Sequence, residues 1–238
     1  MNNKIEICGV DVVLYDDNCD KYAKFLLIQP VEKGDDYEEF IEAQIKHIKS
    51  LTSNQPFVMV AAETGDSNSA LSPWKAPSVF GKGGDFGDGA AQTLSLIEKT
   101  IPEIEKVVGV DENSYRILGG YSLAGLFALW AGYRSDKFDG IAAASPSVWF
   151  PDWDKFIENE SMKAGRVYLS LGDKEHKSKN PVFASVQQRI ELQHKSLVSQ
   201  LGETNCTLEM NEGNHFKDPD LRLAKGFAWV MKGFEKKE

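Results

Sequence analysis

The sequence predicts an α/β fold: a mostly parallel central sheet with helices on both faces and an antiparallel N-terminal edge, in a single domain over residues 1–238. Three observations carry this reading. From residue 23 onward, short apolar runs alternate with segments of helical period, which is the pattern of strands and helices in alternation. Residues 116–130, R-I-L-G-G-Y-S-L-A-G-L-F-A-L-W, pass from strand to helix with no loop between them. Finally, Ser122, Glu175 and His215 all follow predicted strand ends, and in open parallel sheets ligand sites lie beyond the carboxyl ends of the strands.

In chain order, residues 4–14 alternate well enough for one antiparallel edge strand, the cluster 16–20 makes a turn, and residues 23–30 form a second strand. Asp35 and Asp36 stand at the N-cap position of a helix whose apolar residues are Phe40, Ile41, Ile45, Ile48 and Leu51. Residues 57–62 are a fully apolar strand. The segment 63–90 reads as the longest irregular stretch. Loops longer than about 12–15 residues in a domain are usually functional or disordered, and Trp74, Phe80 and Phe86 favour an ordered one. A helix over 91–107 follows, with Pro102 bending it. Strands at 117–120, 140–144, 166–171 and 207–210 alternate with helices after Ser122, over 154–162, over 181–201 and over 221–234.

Composition narrows the function. Hydrophobic content of 42% and charged content of 26% are ordinary for a globular chain, so a core of useful size is expected. A net charge of −9 argues against nucleic acid or an anionic membrane surface as partner. No run reaches membrane-spanning length, and the first residues lack the apolar core of a signal peptide. Cys8, Cys19 and Cys206 then read as free thiols in a reducing cytoplasm, with Cys8 and Cys19 close enough across a hairpin to face each other.

The strand-to-helix passage is where chemistry enters. A strand that turns at once into a helix forces its apex residue into a strained conformation and lifts that side chain clear of the sheet. Small residues are needed two before and two after the apex. Gly120 and Ala124 meet that requirement around Ser122. A serine hydroxyl attacks only when a base takes its proton, and the Leu123 N–H at the start of the helix is positioned to hold a developing oxyanion.

Of four histidines, His47 and His194 fall on helices, and His176 adjoins the candidate acid too closely to be its partner across a site. His215, in the turn Glu212-Gly213-Asn214-His215 after a strand, is the candidate base. Two carboxylates compete to orient it, Asp173 and Glu175. Glu175 is favoured because its longer side chain can reach across the turn, which leaves Asp173 to cap backbone. The second oxyanion donor is assigned to Val31, since Pro30 has no N–H.

The segments G-G-Y-S-L-A-G-L-F-A-L-W, A-S-P-S-V-W-F, G-D-K-E and G-N-H together resemble the esterases of the α/β-hydrolase fold, in the enterochelin-esterase-like and S-formylglutathione-hydrolase-like branch. The resemblance extends over residues 23–234, including L-S-P-W-K-A-P and F-G-D-G-A. It implies the chain order serine, acid, histidine, places the acid at Glu175, and makes Ser147-Val148-Trp149 a pocket wall. Ala124 departs from the family's usual glycine but keeps the steric requirement.

The expected activity is hydrolysis of a small-molecule carboxylic ester through an acyl-enzyme. Acyl transfer or peptide hydrolysis with the same residues, or ligand binding without catalysis, are the alternatives. Tyr121, Trp74, Trp149 and Trp153 are assigned to substrate binding, the tryptophans with the alternative of packing loops down. Segment 145–166 is too short to fold a cap domain, so the site should be open. Gly81-Lys82-Gly83-Gly84 lacks the Lys-Ser/Thr of a phosphate loop, and no pattern calls for a metal or another cofactor. Oligomeric state, a homo-oligomer included, is not legible in the sequence.

Overall fold

The computed structural model describes residues 2–15, 23–34, 37–79, 84–108 and 113–235. Eight strands form one sheet. They are β1 (Asn2–Ile7), β2 (Val10–Tyr15), β3 (Phe25–Glu32), β4 (Val58–Thr64), β5 (Tyr115–Tyr121), β6 (Gly140–Ala144), β7 (Arg166–Gly172) and β8 (Cys206–Asn211). Their spatial order is β1-β2-β4-β3-β5-β6-β7-β8. β1 and β2 run antiparallel to their neighbours, and every other pairing is parallel.

The helices are α1 (Tyr37–Leu51), α2 (Ser67–Ala70), α3 (Ala90–Val108), α4 (Leu123–Arg134), α5 (Trp153–Asn159), α6 (Pro181–Ala184), α7 (Val186–Leu201) and α8 (Pro219–Glu235). Strand residues alternate between two apolar clusters, because successive side chains point to opposite faces of a sheet. In β3, Leu26 and Ile28 join α3, α4, α5 and α7 on one face, while Phe25 and Leu27 join α1 and α8 on the other. α4 is apolar nearly all round and buries nine of its residues, as a helix enclosed by protein does.

Three sequence expectations need correction. Residues 4–14 are not one strand: the chain reverses at Cys8-Gly9, with φ of 52° and 80°, so β1 and β2 form a hairpin of their own. Two consecutive left-handed residues make the turn that suits the strand twist. β2 accordingly pairs with β4 and not with the strand that follows it. The segment 63–90 is only partly irregular. It contains α2, whose N-terminus is capped by Asp66 accepting from the Ser69 N–H at 2.9 Å, and an Ala76–Phe86 bridge. The helix expected over 181–201 is two helices that break at Ser185, where the hydroxyl donates to the Val182 carbonyl at 2.6 Å. Such local side-chain bonding competes with helix continuation. The expected turn at 16–20, the Asp35 and Asp36 cap, the Cys8–Cys19 proximity, Phe80 and most of the glycine-rich run at 81–84 fall outside the described residues. Cys8 and Cys206 are free thiols.

Candidate active site

Three strand ends deliver the site. β5 ends at Tyr121, and Ser122 follows with φ 56° and ψ −117°, a strained conformation for a residue with a Cβ. The backbone around it is locked: the Ser122 N–H donates to the Ala144 carbonyl at 3.1 Å, and the Ser122 carbonyl accepts from Leu126 and Ser147 at 3.0 Å each. A Cβ on Gly120 would lie 2.4 Å from the Ala124 backbone, so the turn into α4 closes only with glycine there. The Leu123 N–H opens α4, among the first four amides that have no partner within the helix.

The second and third contributions come from the turns after β7 and β8, which are stitched together. Asp173 Oδ1 accepts the Gly213 N–H at 2.7 Å, the Asp173 N–H donates to the Asn211 carbonyl at 2.7 Å, and the Lys174 N–H donates to the Gly213 carbonyl at 3.0 Å. Asp173 therefore holds the two turns in register. Glu175, in a 3-10 turn over Glu175–Lys177, faces inward with its side chain only 5% exposed.

The resulting line of atoms is short at each joint. His215 Nδ1 is 2.8 Å from Glu175 Oε2, and His215 Nε2 is 3.0 Å from Ser122 Oγ. The other carboxylate oxygen of Glu175 accepts from the Ser145 hydroxyl and the Gly172 N–H at 2.7 Å each, and from Arg222 Nη1 at 3.1 Å. Burial alone would push the Glu175 carboxyl up. The hydrogen bond and charge of His215, with the Gly172 N–H and Ser145 hydroxyl, outweigh it and hold Glu175 below its ordinary value.

Arg222 is the residue that sequence reasoning missed. Its side chain is 2% exposed and also donates from Nη2 to the carbonyls of Glu212 and Asn214 at 3.0 Å each, within the turn that leads into His215. A single arginine between Leu221 and Leu223 on a helix looks like any solvent-facing residue in the sequence. Only the docking of α8 on the sheet turns it inward. Gly172 belongs to the same packing: a Cβ there would sit 2.4 Å from the Gly213 carbonyl oxygen and 3.0 Å from Arg222 Nη1.

A cleft of about 490 Å³ opens beside Ser122, with Trp149, Phe183, Lys174, Lys177, His215 and Phe216 in its walls. Of the residues assigned to substrate contact, Trp149 lines this cleft. The other three residues assigned to substrate contact lie elsewhere. The Tyr121 hydroxyl donates to the His215 carbonyl at 2.7 Å, which makes it a support for the histidine turn. Trp153 is 1% exposed, with its indole N–H on Gln193 at 2.9 Å. Trp74 stacks on Trp153 with ring centres 6.4 Å apart and donates to the Pro151 carbonyl at 3.0 Å. Both tryptophans pin segments 71–79 and 151–156 to the body of the fold, because an aromatic ring with a satisfied N–H is more stable buried than lining a wet cleft. Val31 lies within β3, opposite Glu63 of β4, and packs in the same apolar cluster as Tyr121.

Among the described residues, no group of three or more His, Cys, Asp or Glu side chains is placed to hold a metal ion, and no helix is long and apolar enough to cross a membrane.

Comparison with known proteins adds a family and a set of like folds. The profile of the family described as "Putative esterase" matches residues 32–219. No curated protein matches the chain. Among solved structures, an IroE-like serine hydrolase from Shewanella oneidensis superposes with a TM-score of 0.74 at 16% identity, over 94% of this chain and 76% of that one. The siderophore hydrolase EstA from Aspergillus nidulans gives 0.70 at 15% identity, over 99% and 94%. The enterobactin esterase FES from Shigella flexneri gives 0.64 at 15% identity, over 95% and 55%. At these identities the likeness shows the fold.

Proposed function

The chain belongs to the esterase family whose profile spans residues 32–219 and is an ester-hydrolysing enzyme of the α/β-hydrolase fold; from that premise we propose that it works through an acyl-enzyme on Ser122, with His215 and Glu175 completing a triad. The observation that carries the proposal is the unbroken line from Ser122 Oγ to His215 Nε2 at 3.0 Å and from His215 Nδ1 to Glu175 Oε2 at 2.8 Å, at the wall of an open cleft.

The chemistry follows from that geometry. With the His215 proton on Nδ1 and directed at Glu175, Nε2 is free to accept the Ser122 proton as Oγ adds to the ester carbonyl carbon. The carbonyl oxygen becomes an oxyanion beside the Leu123 N–H, with the Val31 N–H as second donor. Collapse expels the alcohol, which takes the proton from Nε2 and leaves the acyl group on Oγ. Water then adds by the same path: His215 takes its proton, the acid departs, and Ser122 regains its hydrogen. Glu175 stays ionised throughout and offsets the charge on His215 whenever the ring holds two protons. The free thiols of Cys8 and Cys206 support a reducing, cytoplasmic setting.

The test is intact-mass analysis after treatment with a fluorophosphonate. Wild type should take up one equivalent, Ser122→Ala none, and His215→Ala should label far more slowly. A folded wild-type protein that stays unlabelled would overturn the triad and favour a ligand-binding role for the cleft.

A further inference from the structure

The cleft beside Ser122 has two unlike walls. One is aromatic. Trp149 and Phe183 meet edge to face with ring centres 5.0 Å apart, and Phe216, one residue past His215, stands at the rim 84% exposed. An exposed phenylalanine fixed in a turn, with its N–H on Asn214 Oδ1 at 3.0 Å, is apolar surface that a ligand can cover.

The other wall is the segment 174–179, K-E-H-K-S-K, which gathers three lysines into six residues of a chain that has 36 acidic and 27 basic side chains. Lys174 and Lys177 both line the cleft and both are exposed. Among the described residues neither ammonium is paired with a carboxylate. The carboxylate between them in sequence, Glu175, is turned inward and matched by Arg222 at 3.1 Å and His215 at 2.8 Å. Asp173, the nearest other acid in the turn, is committed to the Gly213 N–H. Elsewhere, surface lysines on this protein do find carboxylates, as Lys33 does with Asp11 at 2.5 Å and Lys217 with Glu212 at 3.1 Å. The mouth of the cleft is thus a cationic spot on an acidic protein.

We propose that the cleft selects esters in which an apolar portion carries an anionic group, the apolar portion lying on the Trp149–Phe183–Phe216 wall and the anion between the Lys174 and Lys177 ammoniums. The inference rests on the hydrolase reading above. A charge that is present equally in substrate and transition state contributes uniform binding, so the lysines should act on KM and leave kcat nearly constant. Exposed charges are also screened by salt, which gives a second signature.

The experiment compares matched esters that differ by one charge. The acyl side is probed with 4-nitrophenyl hydrogen adipate against 4-nitrophenyl hexanoate, and the alcohol side with 4-acetoxybenzoate against its methyl ester. Each is measured on wild type, on the Lys174→Gln/Lys177→Gln double variant and on the Lys174→Glu/Lys177→Glu double variant. In at least one pair, the anionic-to-neutral ratio of kcat/KM should fall about threefold in the glutamine variant and about tenfold in the charge reversal at low salt, through KM. Molar salt should erase most of the wild-type excess. A ratio that is the same in wild type and charge reversal for both pairs, while the neutral esters are turned over, would sink the proposal and leave the hydrolase reading standing. Absence of turnover on all four esters together with no fluorophosphonate labelling would instead remove the hydrolase reading, and this inference with it.

Discussion

Two carboxylates lie at strand ends with side chains of nearly the same exposure. Glu63, near the end of β4, has a side chain 4% exposed, and Glu175, beyond the end of β7, one 5% exposed. Each borders a cavity of similar size, about 460 Å³ and about 490 Å³. Each would be raised by burial and is held below its ordinary value by the groups that donate to it. The partners differ. Glu63 accepts from Lys4 and from the Tyr37 hydroxyl at 2.5 Å each, with Lys33 4.0 Å away and itself paired with Asp11, and none of these partners leads on to a nucleophile. Glu175 accepts from His215, whose other ring nitrogen continues to Ser122. Burial and a lowered pKa thus describe a structural ion cluster as well as the proposed reactive site. What separates the two is a partner with a second titratable face.

Substitution at each carboxylate should expose that difference. Glu175→Gln keeps the shape but presents the wrong hydrogen-bonding partner to His215 Nδ1, so kcat should fall by about 10²- to 10⁴-fold with KM little changed. Steady-state kinetics on a neutral ester would show this, and a loss below tenfold would mean that Glu175 does not orient the histidine.

Arg222→Met should come next. It leaves one oxygen of Glu175 short of its cation and frees the carbonyls of Glu212 and Asn214 from their donor. Removing one partner of a buried ion pair costs about 3–5 kcal/mol. Urea denaturation should show that loss, and ester turnover should drop through kcat as the His215 turn loosens. Unchanged stability together with unchanged kcat would refute the clamp.

Glu63→Gln should have the smallest effect on catalysis, with activity within about twofold while stability falls by about 1–3 kcal/mol from the lost charged hydrogen bonds. A drop in kcat comparable to that of Glu175→Gln would erase the distinction between the two regions. The effect on stability should also depend on pH. A carboxyl with a lower pKa folded than unfolded binds fewer protons in the folded state. Its contribution is complete above the unfolded value of about 4.3 and fades as pH falls through the lower folded value. The stability gap between wild type and Glu63→Gln should therefore be flat at neutral pH and shrink on acidification below about pH 4.

The sequence reading succeeded where a few neighbouring residues decide the conformation. The apex at Ser122 is set by Gly120 and Ala124 within five residues, and apolar runs of strand length specify a sheet buried on both faces. The turn at Cys8-Gly9 left only a small mark in the pattern: the apolar positions slip from Ile5 and Ile7 to Val10, Val12 and Leu14, a change of phase by one residue that a reading of residues 4–14 as one strand passes over. The break at Ser185 was hidden because apolar residues keep a helical period across it.

By itself the sequence determined the fold class, the strained serine and the strand-end positions of Glu175 and His215, since these follow from local sterics and periodicity. Only the tertiary structure decided which carboxylate meets His215 and which joins the two turns, because Asp173 and Glu175 are distinguished by where β8 lies beside β7. It alone turned Arg222 inward, set the Tyr121 hydroxyl on the His215 carbonyl, and sent Trp74 and Trp153 into packing while Trp149 stayed at the cleft. Each of these outcomes depends on groups between 8 and 101 residues apart in the chain being brought within contact distance. No local pattern encodes such a contact, because the free energy that fixes it comes from the docking of whole helices and strands.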